Sequence, residues 1–300
     1  MHVVIIGASG FLGRHVVRRL LSVGMQVTSV DLYEPATKEE KEFFVVADVF
    51  RDKDLAKRIE EHARIDAVVW LAATIRHISS VDERAIEDMN IMIEAPLRFL
   101  RTLKHLPSEV VYVSSIQVYG RPLYLPIDEG HPTHPLRTYG AAKLCAEHML
   151  EIASRKYGIA ASFLRVAFVY GPGQHRENVL PEFIDAVRNG KPPVVHGSGL
   201  GKRDDIYVGD VARAIELSIA KKASGVFNIA SGHCHTTLDV ARTVCRQASS
   251  ELEPVFDRET TVWMDRCFVV DKARDVFGFE AATTFEEGVK LTWEASCNAL

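Results

Sequence analysis

MHVVIIGASGFLG, residues Met1 to Gly13, opens the chain. Val3-Val4-Ile5-Ile6 is an unbroken apolar run rich in β-branched residues, the composition of a strand buried on both faces. Gly7, Gly10 and Gly13 follow at once, and from Arg14 to Ser22 the apolar residues recur at helical spacing. A strand, a glycine turn and a helix N-terminus together present backbone N–H groups to a pyrophosphate. The GxxGxxG spacing is one residue different from the GxGxxG of the dinucleotide fingerprint. Its setting between a buried strand and a helix is the context such a fingerprint requires.

Working outward, Gln26–Val30 reads as a second strand that ends on Asp31. That carboxylate falls about 20 residues past the glycines, where it accepts hydrogen bonds from an adenosine ribose and repels a 2′-phosphate, so NAD is expected over NADP. Arg14, the one candidate ligand for such a phosphate, reads better as a solvated first-turn arginine. Further strands are expected at Phe43–Ala47, Ala67–Leu71, Val110–Val113 and Ser162–Phe168, with helices between them and a kink or new turn at Pro96. Six βα alternations predict an α/β fold of Rossmann type, a doubly wound parallel sheet. After Gly173 the texture becomes richer in Pro, Gly and His. The predicted organisation is a cofactor domain over residues 1–170, with a returning segment near 204–231, and a smaller substrate domain over 171–300.

Composition bounds the function. Of the 300 residues, 47% are hydrophobic and 25% charged, and the net charge is −4, so no basic field invites nucleic acid. No apolar run is long enough to span a membrane. The first strand begins by Val3, leaving no room for a signal peptide, and a cytoplasmic location is expected. Cys145, Cys234, Cys245, Cys267 and Cys297 are odd in number and contain no CxxC, so they read as free thiols in a reducing compartment. The run His233-Cys234-His235 resembles a metal cluster, but three adjacent residues rarely converge on one ion, and no metal is expected. Asp128-Glu129 reads as a structural loop feature, and Arg76 and His77 lie where a substrate could enter.

The chemistry points to Tyr139 and Lys143, a YxxxK pair one helical turn apart, behind Ser115 at the end of a strand. A phenol with a pKa near 10 is a poor base at neutral pH. A neighbouring ammonium, together with the charge of an oxidised nicotinamide, favours phenolate. Ser115 can hydrogen-bond the substrate oxygen that gains or loses the proton. Thr138 is the expected N-cap of the helix that carries the pair.

With these pieces in order, the chain resembles the extended short-chain dehydrogenase/reductases of the NAD-dependent epimerase/dehydratase family. The likeness rests on GASGFLG, Asp31, ADV at 47–49, LAA at 71–73, Asn90, SSIQVYG at 114–120, PIDEG at 126–130, YGAAK at 139–143, LRVAFVYGPG at 164–173, HGSGLGKRDDIYVGDVARAI at 196–215, FNIASG at 227–232 and DKARDVFGF at 271–279. It implies that Gly7, Gly10, Phe11, Leu12 and Gly13 cradle the pyrophosphate of NAD while Asp31 holds the adenosine ribose. Asp48 and Val49 flank the adenine, and Leu71, Ala72, Ala73 and Asn90 line the cofactor cleft. Tyr139 is the acid/base, Lys143 binds the nicotinamide ribose, and Ser115, Gln117, Phe168 and Arg203 face the substrate.

Three departures bear on the substrate. Family dehydratases carry acidic residues after the catalytic Ser or Thr, where this chain has Ile116 and Gln117. An Asn that meets the substrate diphosphate in many members is replaced here by Phe168. The C-terminal arginine segment is out of register, with Arg258 and Arg266 nearby, whereas Arg203 matches a diphosphate-contacting arginine. The expected activity is that of a nucleotide-sugar epimerase acting at C4. The alternatives are a dehydrogenase or ketoreductase on a sugar, sugar acid or small alcohol without a nucleotide, and a catalytically silent NAD-binding regulator. Apolar stripes (Leu97, Phe99, Leu100 and Leu103; Leu144, His148, Met149 and Ile152) match the surfaces that pair in family homodimers.

Overall fold

The computed structural model describes residues 1–73, 83–175, 178–257 and 264–298; the side chains of residues 83–88 lie outside that description. In chain order the first half contains β1 (His2–Ile6), α1 (Phe11–Ser22), β2 (Gln26–Asp31), β3 (Glu42–Val46), α2 (Leu55–Glu60), β4 (Ala67–Trp70), α3 (Glu83–Thr102), β5 (Glu109–Ser115), α4 (Thr138–Tyr157) and β6 (Ala160–Val166). Then come β7 (Phe168–Tyr170), α5 (Val179–Arg188), β8 (Val194–His196), β9 (Lys202–Tyr207), α6 (Val208–Lys221), β10 (Gly225–Ile229), β11 (Cys234–Thr236), α7 (Thr237–Gln247), β12 (Val255–Asp257), α8 (Asp271–Phe277) and α9 (Phe285–Asn298).

Seven strands form a parallel sheet in the order β3-β2-β1-β4-β5-β6-β10. The strand alternation of two explains its two apolar faces. Val3 and Ile5 join one core with Val16, Val17 and Leu20 of α1 and Val211 and Ile215 of α6. Val4 and Ile6 join the other with Trp70, Phe99, Leu100 and Leu150. The chain runs outward from β1 through β2 to β3, then returns to the other side of β1 at β4. This reversal opens a crevice at the carboxyl ends of β1 and β4, where open α/β sheets bind ligands. A smaller lobe holds a three-stranded sheet, β7-β9-β11, and its own core of Leu180, Phe183, Val240, Val244, Phe285 and Val289.

Several sequence expectations are revised. The predicted strand Ser162–Phe168 is two strands, because the Ala167 N–H turns to the Ile229 carbonyl (2.9 Å) and Phe168 crosses to pair with Asp205 of β9. The β8 strand stops at His196, since Gly197 and Gly199 take left-handed backbone with φ of 73° and 70°. The α3 helix continues through Pro96, and Thr138 is the first residue of α4 rather than its cap. Phe99, Leu100 and Leu103 are buried within the subunit, which leaves His148, Met149 and Ile152 as the exposed part of the predicted stripes.

The reading of all five cysteines as free thiols is overturned: Cys234 and Cys267 form a disulfide, and Cys145, Cys245 and Cys297 are free. Thirty-three residues separate the pair, so only tertiary packing brings the two together. Cysteine usage therefore gives no support to the expected reducing compartment. Among the described residues no helix is long and apolar enough to cross a membrane. Arg76, His77 and Arg258 lie outside the described residues.

Glu109, the first residue of β5, is buried far from the carboxyl edge of the sheet, and its Oε2 has no hydrogen-bond partner among the described residues. Burial pushes its carboxyl up to about 8, against a Ser218 hydrogen bond and the charge of Lys222. The folded state thus holds a proton that the unfolded chain releases above its ordinary carboxyl range, so this group lowers stability increasingly as pH rises from about 4.5 toward 8. Glu109→Gln is expected to leave the melting temperature at pH 5 nearly unchanged. At pH 8.5 it should raise it by about 3 °C or more, since one pKa unit is about 1.4 kcal/mol. Calorimetric scans at the two pH values check this.

Candidate active site

The turn after β1 is built for close backbone contact. Gly7 has φ of +89°, and a Cβ there would lie 2.7 Å from the Ala72 nitrogen; a Cβ on Gly13 would lie 2.3 Å from the Gly7 carbonyl oxygen. Gly10 is the N-cap of α1, with no side-chain cap and no acidic residue in the first turn, so the helix end keeps its N–H groups and positive potential for an anion. Phe11 and Leu12 open that helix. Asp31 is tied to the same turn: its Oδ2 accepts the Ser9 N–H at 2.8 Å and its Oδ1 the Leu32 N–H at 2.7 Å. Leu71 and Ala72 donate to the Ile6 carbonyl (2.9 and 3.0 Å), which brings Leu71, Ala72 and Ala73 against the glycines. Asp48 closes its own turn through the N–H groups of Phe50 and Arg51, beside Val49. Asn90 is half-buried on α3.

This cradle fits a dinucleotide: two backbone approaches exclude any side chain, an unfilled helix N-terminus faces the turn, and a carboxylate is fixed beside it. Arg14 is not the solvated residue expected. Its Nη1 donates to both Glu42 carboxylate oxygens (2.7 and 3.0 Å); burial raises that carboxyl, but the Arg14 hydrogen bonds and charge help hold it below its ordinary range.

At the end of β5, Ser115 accepts the Gln117 N–H (3.2 Å) and starts a short 3₁₀ turn over Ile116–Val118. The α4 helix packs on this turn so closely that a Cβ at Gly140 would lie 2.6 Å from the Gln117 carbonyl oxygen. The approach brings Tyr139 to Ser115, close enough for the serine hydroxyl to oppose the rise in the phenol's pKa. Lys143 donates to the Val113 carbonyl (2.7 Å) and lies 4.6 Å from the Tyr112 ring centroid and 5.7 Å from that of Tyr139. Burial dominates both pKa values. It pushes Tyr139 up to about 12 against the Ser115 hydroxyl, and pulls Lys143 down to about 7 against the charge of Glu147. The expected lowering of the phenol by Lys143 is therefore not produced by the protein groups alone.

Glu147, one turn beyond Lys143, was not singled out from the sequence. It takes the Ser114 hydroxyl and a fork from Arg165, whose Nη2 is 2.7 Å away, and so fastens α4 to the ends of β5 and β6. Asn228 was also missed: it accepts the Tyr119 hydroxyl (2.6 Å), donates to the Ile127 and Val269 carbonyls, and gives its N–H to Glu129. A glycine inside a helix at 140, and charges placed in apolar strands and helix faces, are the only signals the sequence offers for these roles.

On the substrate side, the structure brings Phe168 and Arg203 together, with the guanidinium 4.5 Å from the ring centroid. The same guanidinium forks onto Asp205 (2.8 and 2.7 Å). Arg266 reaches this area despite its sequence register. Its backbone bridges to Arg203, its side chain meets the Gly120 carbonyl at 3.4 Å, and burial and the charge of Arg137 depress its pKa. Cys234 is spent on the disulfide, and His235 stacks on Phe285 at 4.4 Å. Among the described residues no group of three or more His, Cys, Asp or Glu side chains is placed to hold a metal.

A doubly wound sheet with a glycine cradle at its switch point, and Ser, Tyr and Lys converging on its carboxyl edge, defines a dinucleotide-dependent enzyme of the short-chain dehydrogenase/reductase class. The profile described as the NAD dependent epimerase/dehydratase family matches residues 3–230, and the chain belongs to that family. Its cofactor is NAD. A Methanocaldococcus jannaschii protein with a provisional UDP-glucose 4-epimerase assignment is 30% identical over 306 residues, covering 99% of each chain. The Mus musculus dTDP-D-glucose 4,6-dehydratase is 26% identical over 317 residues, 97% of this chain and 87% of that one. The crystal structure of a Thermotoga maritima UDP-glucose 4-epimerase with UDP-glucose superposes with a TM-score of 0.90 at 28% identity, covering 100% of this chain and 99% of that one.

Gly13→Ala forces two backbone segments apart at the cradle. It is expected to weaken NAD binding by about tenfold or more in calorimetric titration, with the far-ultraviolet circular dichroism of the folded chain retained.

Proposed function

We propose that this protein is a nucleotide-sugar 4-epimerase that oxidises and re-reduces a sugar carbinol on bound NAD. The observation that carries the reading is the Ser115–Tyr139 contact at the carboxyl edge of the sheet, with Ile116 and Gln117 following Ser115. Elimination of water needs a positioned acid to protonate the leaving hydroxyl. A hydrophobic residue and an amide there favour epimerisation over 4,6-dehydration. Kinship with enzymes named for UDP-glucose epimerisation supports a UDP-sugar as the substrate class.

Gly7, Gly10, Phe11, Leu12 and Gly13 hold the pyrophosphate, Asp31 the adenosine ribose, and Asp48 and Val49 the adenine surround. Leu71, Ala72, Ala73 and Asn90 line the cleft. Bound NAD supplies hydride acceptance and return, and in its oxidised form a positive charge that favours phenolate at Tyr139. Tyr139 takes the proton from the C4 hydroxyl at its phenolic oxygen and returns it to the same oxygen after the ketone has presented its other face. Ser115 donates to the reacting oxygen throughout, which keeps it within reach of Tyr139. Lys143, anchored on the Val113 carbonyl, holds the nicotinamide ribose and leans its charge toward the phenol. Gln117 addresses the sugar, and Arg203 with Arg266 the diphosphate.

A second reading, a dehydrogenase or ketoreductase acting on a sugar or sugar acid without a nucleotide, is favoured by one feature: Phe168 covers the face of Arg203 and Asp205 occupies its fork. Incubation with NAD and a panel of UDP-sugars and free sugar acids, followed by sugar NMR and NADH absorbance together, separates the two. The C4 isomer without net NADH is the expected result, and stoichiometric NADH would establish the second reading. Tyr139→Phe should cost at least about 10²-fold in turnover while NAD affinity stays within about threefold. A variant that keeps more than a tenth of the rate contradicts the acid/base role.

We infer a homodimer built on α3 and α4, which pack side by side and leave Met149 (41% exposed) and Ile152 (61% exposed) on an outer face. Ile152→Glu is expected to shift the sedimentation coefficient at micromolar concentration from dimer to monomer without altering the melting temperature by more than a few degrees. A wild-type chain that sediments as a monomer rules the dimer out.

A further inference from the structure

We propose that the Cys234–Cys267 disulfide is a redox-responsive clamp on the anion end of the substrate cleft. It holds Arg266 beside Arg203, so that reduction weakens binding of a diphosphate-bearing ligand and leaves the NAD cradle intact. The choice of ligand rests on the nucleotide-sugar reading above.

Three arginines are carried to this end of the cleft by neighbouring segments. Arg203 lies on β9, Arg137 stands two residues before Tyr139, and Arg266 belongs to the irregular segment 264–270. The backbones of Arg203 and Arg266 run side by side, and Arg266 and Arg137 are close enough for each charge to oppose the other. The nearby carboxylates are committed elsewhere. Asp205 is forked by Arg203, Asp204 takes the Ser231 and Gly232 N–H groups, and Asp265 takes the Lys202 N–H at 2.8 Å. Among the described residues the Arg266 side chain makes one hydrogen bond, a long one to the Gly120 carbonyl at 3.4 Å. Half-buried Arg266 faces the like charge of Arg137 with no ion-pair partner of its own among the described residues, an arrangement that a bound anion stabilises.

The same geometry shows what holds Arg266 there against the repulsion. On its N-terminal side the segment is tied to β9 by the Arg266 N–H to the Lys202 carbonyl (3.0 Å) and by the Asp265 side chain. On its C-terminal side the Cys267 carbonyl accepts the Ile127 N–H (2.7 Å), Val269 donates to the Ile127 carbonyl (2.9 Å), and Phe268 is buried in the core. The covalent link falls between these two attachments. It joins Cys267, adjacent to Arg266, to Cys234 on β11, which pairs with Asp204 of β9, next to Arg203. The bond therefore ties the backbone that carries Arg266 to β11, the strand paired with the one that carries Arg203. Both cysteines are half-buried rather than sealed in the core, so a small reductant reaches them.

The switching step is thiol–disulfide exchange with a dithiol. One thiolate of the reductant attacks a cysteine sulfur, and the Cys234–Cys267 bond breaks. The second thiolate of the reductant then closes its own disulfide. Two electrons pass from the dithiol to the protein, and each cysteine takes up one proton as it becomes a thiol. With the clamp open, the four polar ties and buried Phe268 keep the segment in the fold, but the Arg137–Arg266 repulsion is no longer opposed by a covalent bond, and the Arg266 guanidinium moves away from the anion site. The glycine cradle lies on the far side of the cleft, on β1 and α1, and has no covalent or hydrogen-bonded link to segment 264–270 among the described residues.

The test uses the full chain with NAD bound, in air-oxidised form and after treatment with dithiothreitol. The oxidation state is read by alkylation and mass spectrometry. UDP and inorganic pyrophosphate are titrated separately by calorimetry into wild type, the Cys234→Ser/Cys267→Ser double variant and Arg266→Met. The expected result is a loss of about tenfold or more in affinity for both probes on reduction. The double variant should match the reduced protein, and NAD affinity should change by less than about twofold throughout. Arg266→Met should bind weakly in both redox states, with no further loss on reduction. Cysteines 234 and 267 found alkylated in the oxidised protein, or equal affinities before and after reduction, overturn the clamp. So does a redox effect that persists undiminished in Arg266→Met. Redox-dependent pyrophosphate binding without UDP binding supports the clamp and refutes the nucleotide reading, whereas no binding of either probe in the oxidised state overturns both.

Discussion

The architecture depends on backbone meeting backbone at distances no side chain permits. At Gly7 and Gly13 the turn after β1 closes against Ala72 and against itself, and at Gly140 the α4 helix closes against the turn that follows β5. These contacts lie along one edge of one sheet. The first pair leaves room for a pyrophosphate to approach N–H groups, and the second brings Tyr139 within hydrogen-bonding reach of Ser115. A methyl group at any of the three positions has to displace main chain, which close-packed interiors resist. The cofactor end and the chemical end of the cleft are thus set by the same kind of constraint.

Beneath the cleft the protein buries more charge than the proposed Ser115–Tyr139–Lys143 set alone demands. Lys143, Glu147 and Arg165 are all nearly excluded from water, and Glu147 is shared between the Ser114 hydroxyl and the Arg165 fork. Buried ions of this kind are costly unless every partner is supplied. Here the partners come from both catalytic elements, β5 and α4, and from the neighbouring β6. The network therefore acts as positioning for Ser115, Tyr139 and Lys143. Its balance leaves Lys143 with a depressed pKa and Tyr139 with a raised one, so burial outweighs the Lys143–Tyr139 proximity in the protein by itself. The interaction expected from the YxxxK spacing is geometrically present and electrostatically incomplete until the cofactor's charge is added.

The substrate end follows a different logic. Its charges are assembled from β9, from the segment before α4 and from 264–270, three parts of the chain far apart in sequence. Arg203 is held rigid by Asp205 and Phe168, a fork on one side and an aromatic face on the other. Arg266 is held by its neighbours' backbone and by the disulfide. Phe168, which in the sequence looked only like the loss of an amide, is the plate on which Arg203 rests.

Residues near one another in sequence were legible because their chemistry is local. The β-branched run, the glycines, Asp31 and the YxxxK spacing each follow from dihedral preference or helical period, and together they specified the parallel sheet, the cofactor and the pair proposed here as catalytic. Periodicity also carried the strand core of the sheet, down to the alternation of Val3 and Ile5 with Val4 and Ile6. What the sequence could not show was register across long separations. The split at Ala167, the Cys234–Cys267 bond, the burial of Arg14 on Glu42 and the arrival of Arg266 beside Arg203 all depend on which distant backbone pairs with which. So do the pKa values of Tyr139 and Lys143, because desolvation is a property of the surrounding packing and is absent from any short stretch of chain. The sequence by itself determined what this protein binds at the carboxyl edge of its sheet; only the tertiary structure decided how the charges around that edge are paired, since pairing is set by packing between segments that the linear order keeps apart.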